Sequence, residues 1–139
     1  MQETDNVRLT RETFEAFIRG DIPTLLSYYD DDIVWEPAYG ASGHVPTAGR
    51  RQGKAAVAEY FRLVAENFNI SRFETTDFIG SGDKVVTLGH YTATTPMNRT
   101  IDSDFAMVAT IKNGKVTRFQ EFIDSAAMNA CFAVDAAAV

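Results

Sequence analysis

The residues of this sequence best suited to chemistry are a few carboxylates set among apolar runs. Asp124 ends the last strand-like run, just before a terminal helix. An aspartate facing an apolar cavity has a raised pKa and can remove a proton from the carbon beside a carbonyl. The same position also suits a helix N-cap, filled by Asp124 or Ser125. Glu36 ends a short apolar run before Pro37, and a solvated strand end is its plainer reading. Asp102 and Asp104 alternate along one strand face with Ala106 and Val108, with Arg99 close upstream. Asp104 lies deeper in the strand and would need a partner on a cavity face. Surface charge at a hairpin end is the alternative for both.

His44 and His90 are the only histidines, and without ligand-like spacing they give no reason to expect a metal. His44 falls in a long loop, placed to orient or protonate a ligand at a cavity mouth, or simply to be solvated. His90, between Gly89 and Tyr91, points either into a cavity or out to a dimer face. Trp35, Tyr28, Tyr39, Tyr60 and Tyr91 are the aromatic residues expected near a pocket. Their hydroxyl and indole groups can bind a carbonyl while the rings stack on a planar substrate, although packing explains most of them equally well. Cys131, the single cysteine, allows no intrachain disulfide and sits among Ala130, Phe132 and Ala133 as a buried or half-buried, inert thiol. Gly80-Ser81-Gly82 leads into a strand rather than a helix, so it is a hairpin turn and not a phosphate loop.

The elements that must position these groups come from a chain of 139 residues, 45% hydrophobic and 23% charged, which suits one globular domain over residues 1–139. Its net charge of −6 disfavours nucleic acid and anionic membrane surfaces alike. No stretch reaches the roughly 18 apolar residues of a membrane span, and the N-terminus lacks a signal-peptide core, so a reducing cytoplasm is the default. The first half reads as helices and the second as strands, the segregation of an α+β fold. A first helix opens at Thr4 or Asp5 and stops at Gly20. Asp21 caps a second that carries Pro23 in its first turn. Asp30-Asp31-Asp32 turns the chain into a strand over 33–36, and residues 37–52 form a loop. Val57, Tyr60, Phe61, Val64 and Phe68 have helical spacing after Gly53. Strands follow over 70–79, 84–95, 100–112 and 115–124, the last two joined by Asn113-Gly114, a strong hairpin signal. They form an antiparallel meander, closed by a helix from Ser125.

In order and spacing, several pieces resemble the SnoaL-like polyketide cyclases and ketosteroid isomerases of the nuclear transport factor two-like superfamily. They are Gly20-Asp21, Val34-Trp35-Glu36-Pro37, residues 48–53 with the helix after them, 105–111, Asn113-Gly114-Lys115-Val116 and 118–124. The resemblance implies a cone-shaped α+β fold, three N-terminal helices against a curved, mostly antiparallel sheet that encloses a cavity. It places the cyclases' general base at Asp124 and the isomerases' Asp-Pro base at Glu36. The isomerase oxyanion donors fall near Phe14 and near Ala106 or Met107, which cannot donate, so steroid isomerisation is not expected. Arg99 and Asp102 only loosely match the Asp-Arg-Asp arrangement of the superfamily's epoxide hydrolases. The resulting expectation is a homodimer that binds a small hydrophobic, carbonyl-bearing molecule and performs acid–base chemistry of the isomerase or cyclase type without a cofactor. Asp124, Glu36 and His44 are its candidate catalytic residues, and Trp35, Tyr28, Tyr39, Tyr60, Tyr91, Asp104 and His90 its candidate binding residues. A non-catalytic ligand-binding protein and a dimeric interaction module are the alternatives, because fold alone does not fix function.

Overall fold

The long apolar-faced helices and the alternating strands of the second half pack on each other in a computed structural model, which describes residues 3–133. The helices are α1 (Asp5–Ile18), α2 (Ile22–Ser27), α3 (Lys54–Asn67) and α4 (Ser125–Phe132). The strands are β1 (Tyr29–Glu36), β2 (Arg51–Gln52), β3 (Asn69–Ser81), β4 (Lys84–Thr94), β5 (Thr100–Lys112) and β6 (Lys115–Phe122). They form one open six-stranded sheet in the order β2-β1-β6-β5-β4-β3. All neighbours are antiparallel except β1 and β6, which run parallel.

The caps follow local chemistry. The Thr4 side chain accepts from the Val7 amide at the start of α1, and Asp21 accepts from the Thr24 amide at the start of α2. Asn113 and Gly114 both take positive φ, 51° and 74°, as a two-residue hairpin turn needs. β1 begins at Tyr29, earlier than the expected 33, because a register irregularity between Tyr29 and Val34 lets the three aspartates lie within the strand. Two residues of the expected 37–52 loop also pair with β1 as the edge strand β2.

Alternation sorts the sheet into two faces. Val85, Thr87, Tyr91 and Ala93 of β4 and Ile101, Ser103, Phe105, Met107 and Ala109 of β5 are buried against the helices. Gly89 makes room for this packing. A Cβ there would stand 2.1 Å from the Glu74 carbonyl oxygen and 2.3 Å from Phe105 Cζ, so only glycine lets that ring lie on the sheet. Phe105 then stacks on Phe14 of α1, with centroids 6.4 Å apart, and on Phe73 of β3, at 5.1 Å. Aromatic rings are thus prominent in the core, and α1, α3 and α4 pack on the inner face of the sheet, with α2 against α1 and α3.

Candidate functional site

The space left under the helices is a cavity of about 90 Å³ walled by Phe14, Phe17, Tyr29, Trp35, Tyr60, Phe61, Phe73, Tyr91, Met107 and Phe119 among others. Strand register builds its floor. Trp35 of β1 lies beside Phe119 of the parallel strand β6, on the same face, and the two rings stack 4.1 Å apart at 9°. Two residues beyond Phe119, the same face of β6 carries Glu121, the one carboxylate among the described residues that lines the cavity.

Glu121 is half-buried and lines the cavity. Removal from water pushes its carboxyl up to about 7, against the opposing effect of the Ala38 amide, which donates to Oε1 at 3.2 Å. Ala38 reaches that position with φ at 37°, in a region unusual for a residue with a Cβ. The Tyr39 amide donates to the Glu121 carbonyl oxygen at 3.2 Å and fixes the same turn against β6. Buried phenols share the cavity lining with the carboxyl. Burial and the Glu121 charge raise the pKa of Tyr60 and of Tyr91, and burial alone raises that of Tyr29. These three phenols stay neutral hydrogen-bond donors. The Trp35 ring lines the cavity, and its indole N–H is buried without a partner among the described residues.

The residues singled out from sequence fall into three places. Trp35, Tyr60 and Tyr91 line the cavity. Glu36, Tyr28 and Tyr39 engage partners outside its lining. Glu36 takes hydrogen bonds from the Tyr39 hydroxyl and from Arg118 at 3.0 and 2.8 Å, which hold its carboxyl below the usual range. The Tyr28 hydroxyl donates to Glu12 at 2.9 Å, and Tyr39 is exposed and stacked on Phe122. Asp124 is exposed and caps α4, accepting from the Ala127 amide at 3.0 Å. His44 is exposed in the loop.

His90 and Asp104 stand on the opposite face of the sheet. Nδ1 of His90 is 2.7 Å from Asp104 and Nε2 is 2.5 Å from Asp102, so both bonds form when the ring carries two protons, and its pKa is raised by those two carboxylates. Arg99 donates to the carbonyl oxygens of Ala130 and Ala133 at the end of α4. Cys131 is buried. Phe14 and Met107 line the cavity with side chains that donate no hydrogen bond. Among the described residues no set of three or more His, Cys, Asp or Glu side chains could hold a metal ion, and no helix is long and apolar enough to cross a membrane.

Sequence reasoning passed over Glu121 in favour of Asp124, three residues on. The signal was present. A period of two from Phe119 puts Glu121 on the ring's face and Gln120 on the other.

Comparison with known proteins agrees with this architecture. A SnoaL-like domain profile matches residues 10–119. Among curated proteins no sequence matches. An NTF2-like protein of Burkholderia xenovorans is 31% identical, with a TM-score of 0.82 over 96% of this chain and 99% of that one. An NTF2-like protein of unknown function from Burkholderia pseudomallei is 26% identical, with a TM-score of 0.85 over 95% of this chain and 100% of that one. TerC, co-crystallized with polyporic acid, is 25% identical, with a TM-score of 0.82 over 93% of this chain and 98% of that one. The helices packed on an open mixed sheet are thus an NTF2-like fold, and the chain belongs to the SnoaL-like family.

Proposed function

We propose that this chain binds a small hydrophobic, carbonyl-bearing molecule in its aromatic cavity and moves a proton on it without a cofactor, with Glu121 as the acid–base group. One observation carries the reading: a carboxyl pushed up to about 7 lines the cavity together with buried, neutral phenols and with Trp35, whose buried indole N–H has no partner among the described residues. A pKa near ambient pH lets a carboxyl both take and return a proton. Ionised Glu121 takes the proton from the carbon beside the ligand carbonyl, and the electron pair moves onto that oxygen. The Trp35 N–H and a tyrosine hydroxyl donate to the resulting enolate. Where a C=C is conjugated with the enolate, protonated Glu121 then returns its proton to the far carbon of that dienolate and the double bond shifts, which is isomerisation. Alternatively, the enolate carbon attacks a second carbonyl and the proton goes to the new alkoxide, which is cyclisation. The flat Trp35–Phe119 stack suits a planar ring. The similar TerC was co-crystallized with polyporic acid, which supports a small-molecule reading.

The test uses phenylacetone in D2O, with loss of its methylene proton signal followed by NMR. The chain should accelerate exchange at pH 8, and Glu121→Gln should return the rate to background. If phenylacetone quenches Trp35 fluorescence but exchange stays at background, the catalytic reading fails and a binding protein remains. Homodimer pairing belongs on the outer sheet face, where Val86, Leu88, Ala106 and Val108 are half-buried between charged pairs. Sedimentation at micromolar concentration should give a dimer mass, which Val108→Glu should halve.

A further inference from the structure

The turn that brings the Ala38 amide to Glu121 is held from outside. Residues 37–50 connect β1 to β2 without helix or strand. Ala38 sits at φ 37°, a backbone state that a residue with a Cβ leaves unless its surroundings hold it. Two elements do so. One is β6, where the Ala38 and Tyr39 amides bond the side chain and the carbonyl oxygen of Glu121. The other is α4, through Asn129.

The Asn129 amide engages the turn twice. Its Oδ1 accepts from the Ser42 N–H at 2.7 Å, and its Nδ2 donates to the Gly40 carbonyl oxygen at 3.1 Å. An N–H needs the oxygen and a carbonyl needs the NH2, so these partners fix which way the amide points. Asn129 is the one amide side chain of α4, set among Ala, Met and Cys, and it costs the helix some propensity. Gly40 completes the contact. With φ at 82° it approaches α4 so closely that an added Cβ would stand 2.9 Å from Ser125 Oγ. Met128, one residue before Asn129, lines the cavity. The same helix therefore walls the cavity and grips the turn.

The Ala38 amide is the one hydrogen-bond partner of the Glu121 carboxyl among the described residues. It occupies Oε1, leaves Oε2 for a proton, and opposes the upward push of burial on the group. Glu121 shares the cavity lining with Tyr29 of β1, Tyr60 of α3 and Tyr91 of β4, and with no other charged side chain among the described residues. We infer that Asn129 is a positioning residue of this site: by clamping Gly40 and Ser42 to α4, it keeps the Ala38 amide on Oε1 of Glu121. Its use in catalysis rests on the proposed function, whereas the clamp is measurable without turnover.

The test follows the Glu121 carboxyl carbon by NMR titration in the full chain and in three variants. Alanine suits a helix, so Asn129→Ala keeps α4 and removes both bonds. Its Glu121 midpoint should rise by roughly half to one pH unit, the effect of losing one hydrogen bond to the charged form. Gly40→Ala pushes the same turn off Ser125 and should move the midpoint the same way. Arg99→Gln is the control. It frees the Ala130 and Ala133 carbonyls and loosens the far end of α4, and should leave the midpoint in place. The pH midpoint of phenylacetone exchange should rise in the two turn variants and not in the control. An unchanged Glu121 midpoint in either turn variant, or an equal rise in Arg99→Gln, would overturn the positioning role. If the midpoints move as stated while even the unsubstituted chain exchanges phenylacetone at background, the clamp stands and the proton-transfer reading fails.

Discussion

Replacing Glu121 by Gln should make the protein more stable at high pH, because the native carboxyl resists ionisation. Burial raises its pKa from the ordinary 4.5 to about 7. Between those values the unfolded chain loses the proton and the folded chain keeps it, so stability falls as pH rises through this window. At about 1.4 kcal/mol per tenfold change in proton affinity, the loss comes to about 3 kcal/mol, nearly complete by pH 8. Glutamine keeps an oxygen for the Ala38 amide and carries no charge, so the variant escapes this loss. Urea unfolding of both proteins at pH 4 and pH 8 reads the effect as a difference of differences. His90 also contributes a pH dependence. Its raised pKa gives stability that is full below the unfolded value near 6.5 and is lost as pH rises through the folded one. That contribution is common to both proteins and cancels. Parallel stability profiles for the two proteins would refute a buried, proton-holding Glu121.

Other substitutions separate the site from its surroundings. Trp35→Phe removes the orphan indole donor and should weaken phenylacetone binding about tenfold by calorimetry, the worth of one hydrogen bond in a dry site. Asp124→Ala should cost about 1 kcal/mol in urea unfolding through loss of the α4 cap, with the pH profile of proton exchange unchanged. Glu36→Gln breaks a pair with Arg118 at the surface and should change stability by less than about 1 kcal/mol, with exchange rates intact. Gly89→Ala drives a methyl into the Glu74 carbonyl and the Phe105 ring. It should cost about 3 kcal/mol in the same assay.

Much of the fold was legible because its signals are local. The helical spacing from Val57 to Phe68, the Asn113-Gly114 turn and the caps at Thr4 and Asp21 each act over a few residues. The start of β1 was not, because three consecutive aspartates read as a turn until an irregular register with β6 absorbs them. The candidate site was legible in part. Trp35, Tyr60 and Tyr91 could be named as pocket aromatics, yet which strand face looks inward depends on where the helices pack. That choice sent Asp104 and His90 outward and Glu121 inward. The role of Ala38 is invisible in sequence, since it rests on a backbone turn at φ 37° that brings an amide from a distant loop to Glu121.

The most direct measurement of the central claim is an NMR titration of glutamate side-chain carboxyl carbons, with the Glu121 signal assigned by its absence from Glu121→Gln. A midpoint near 7, moved by phenylacetone, is the predicted result. A midpoint near 4.5 that ignores the ligand would show Glu121 to be an ordinary solvated carboxylate and would contradict the account.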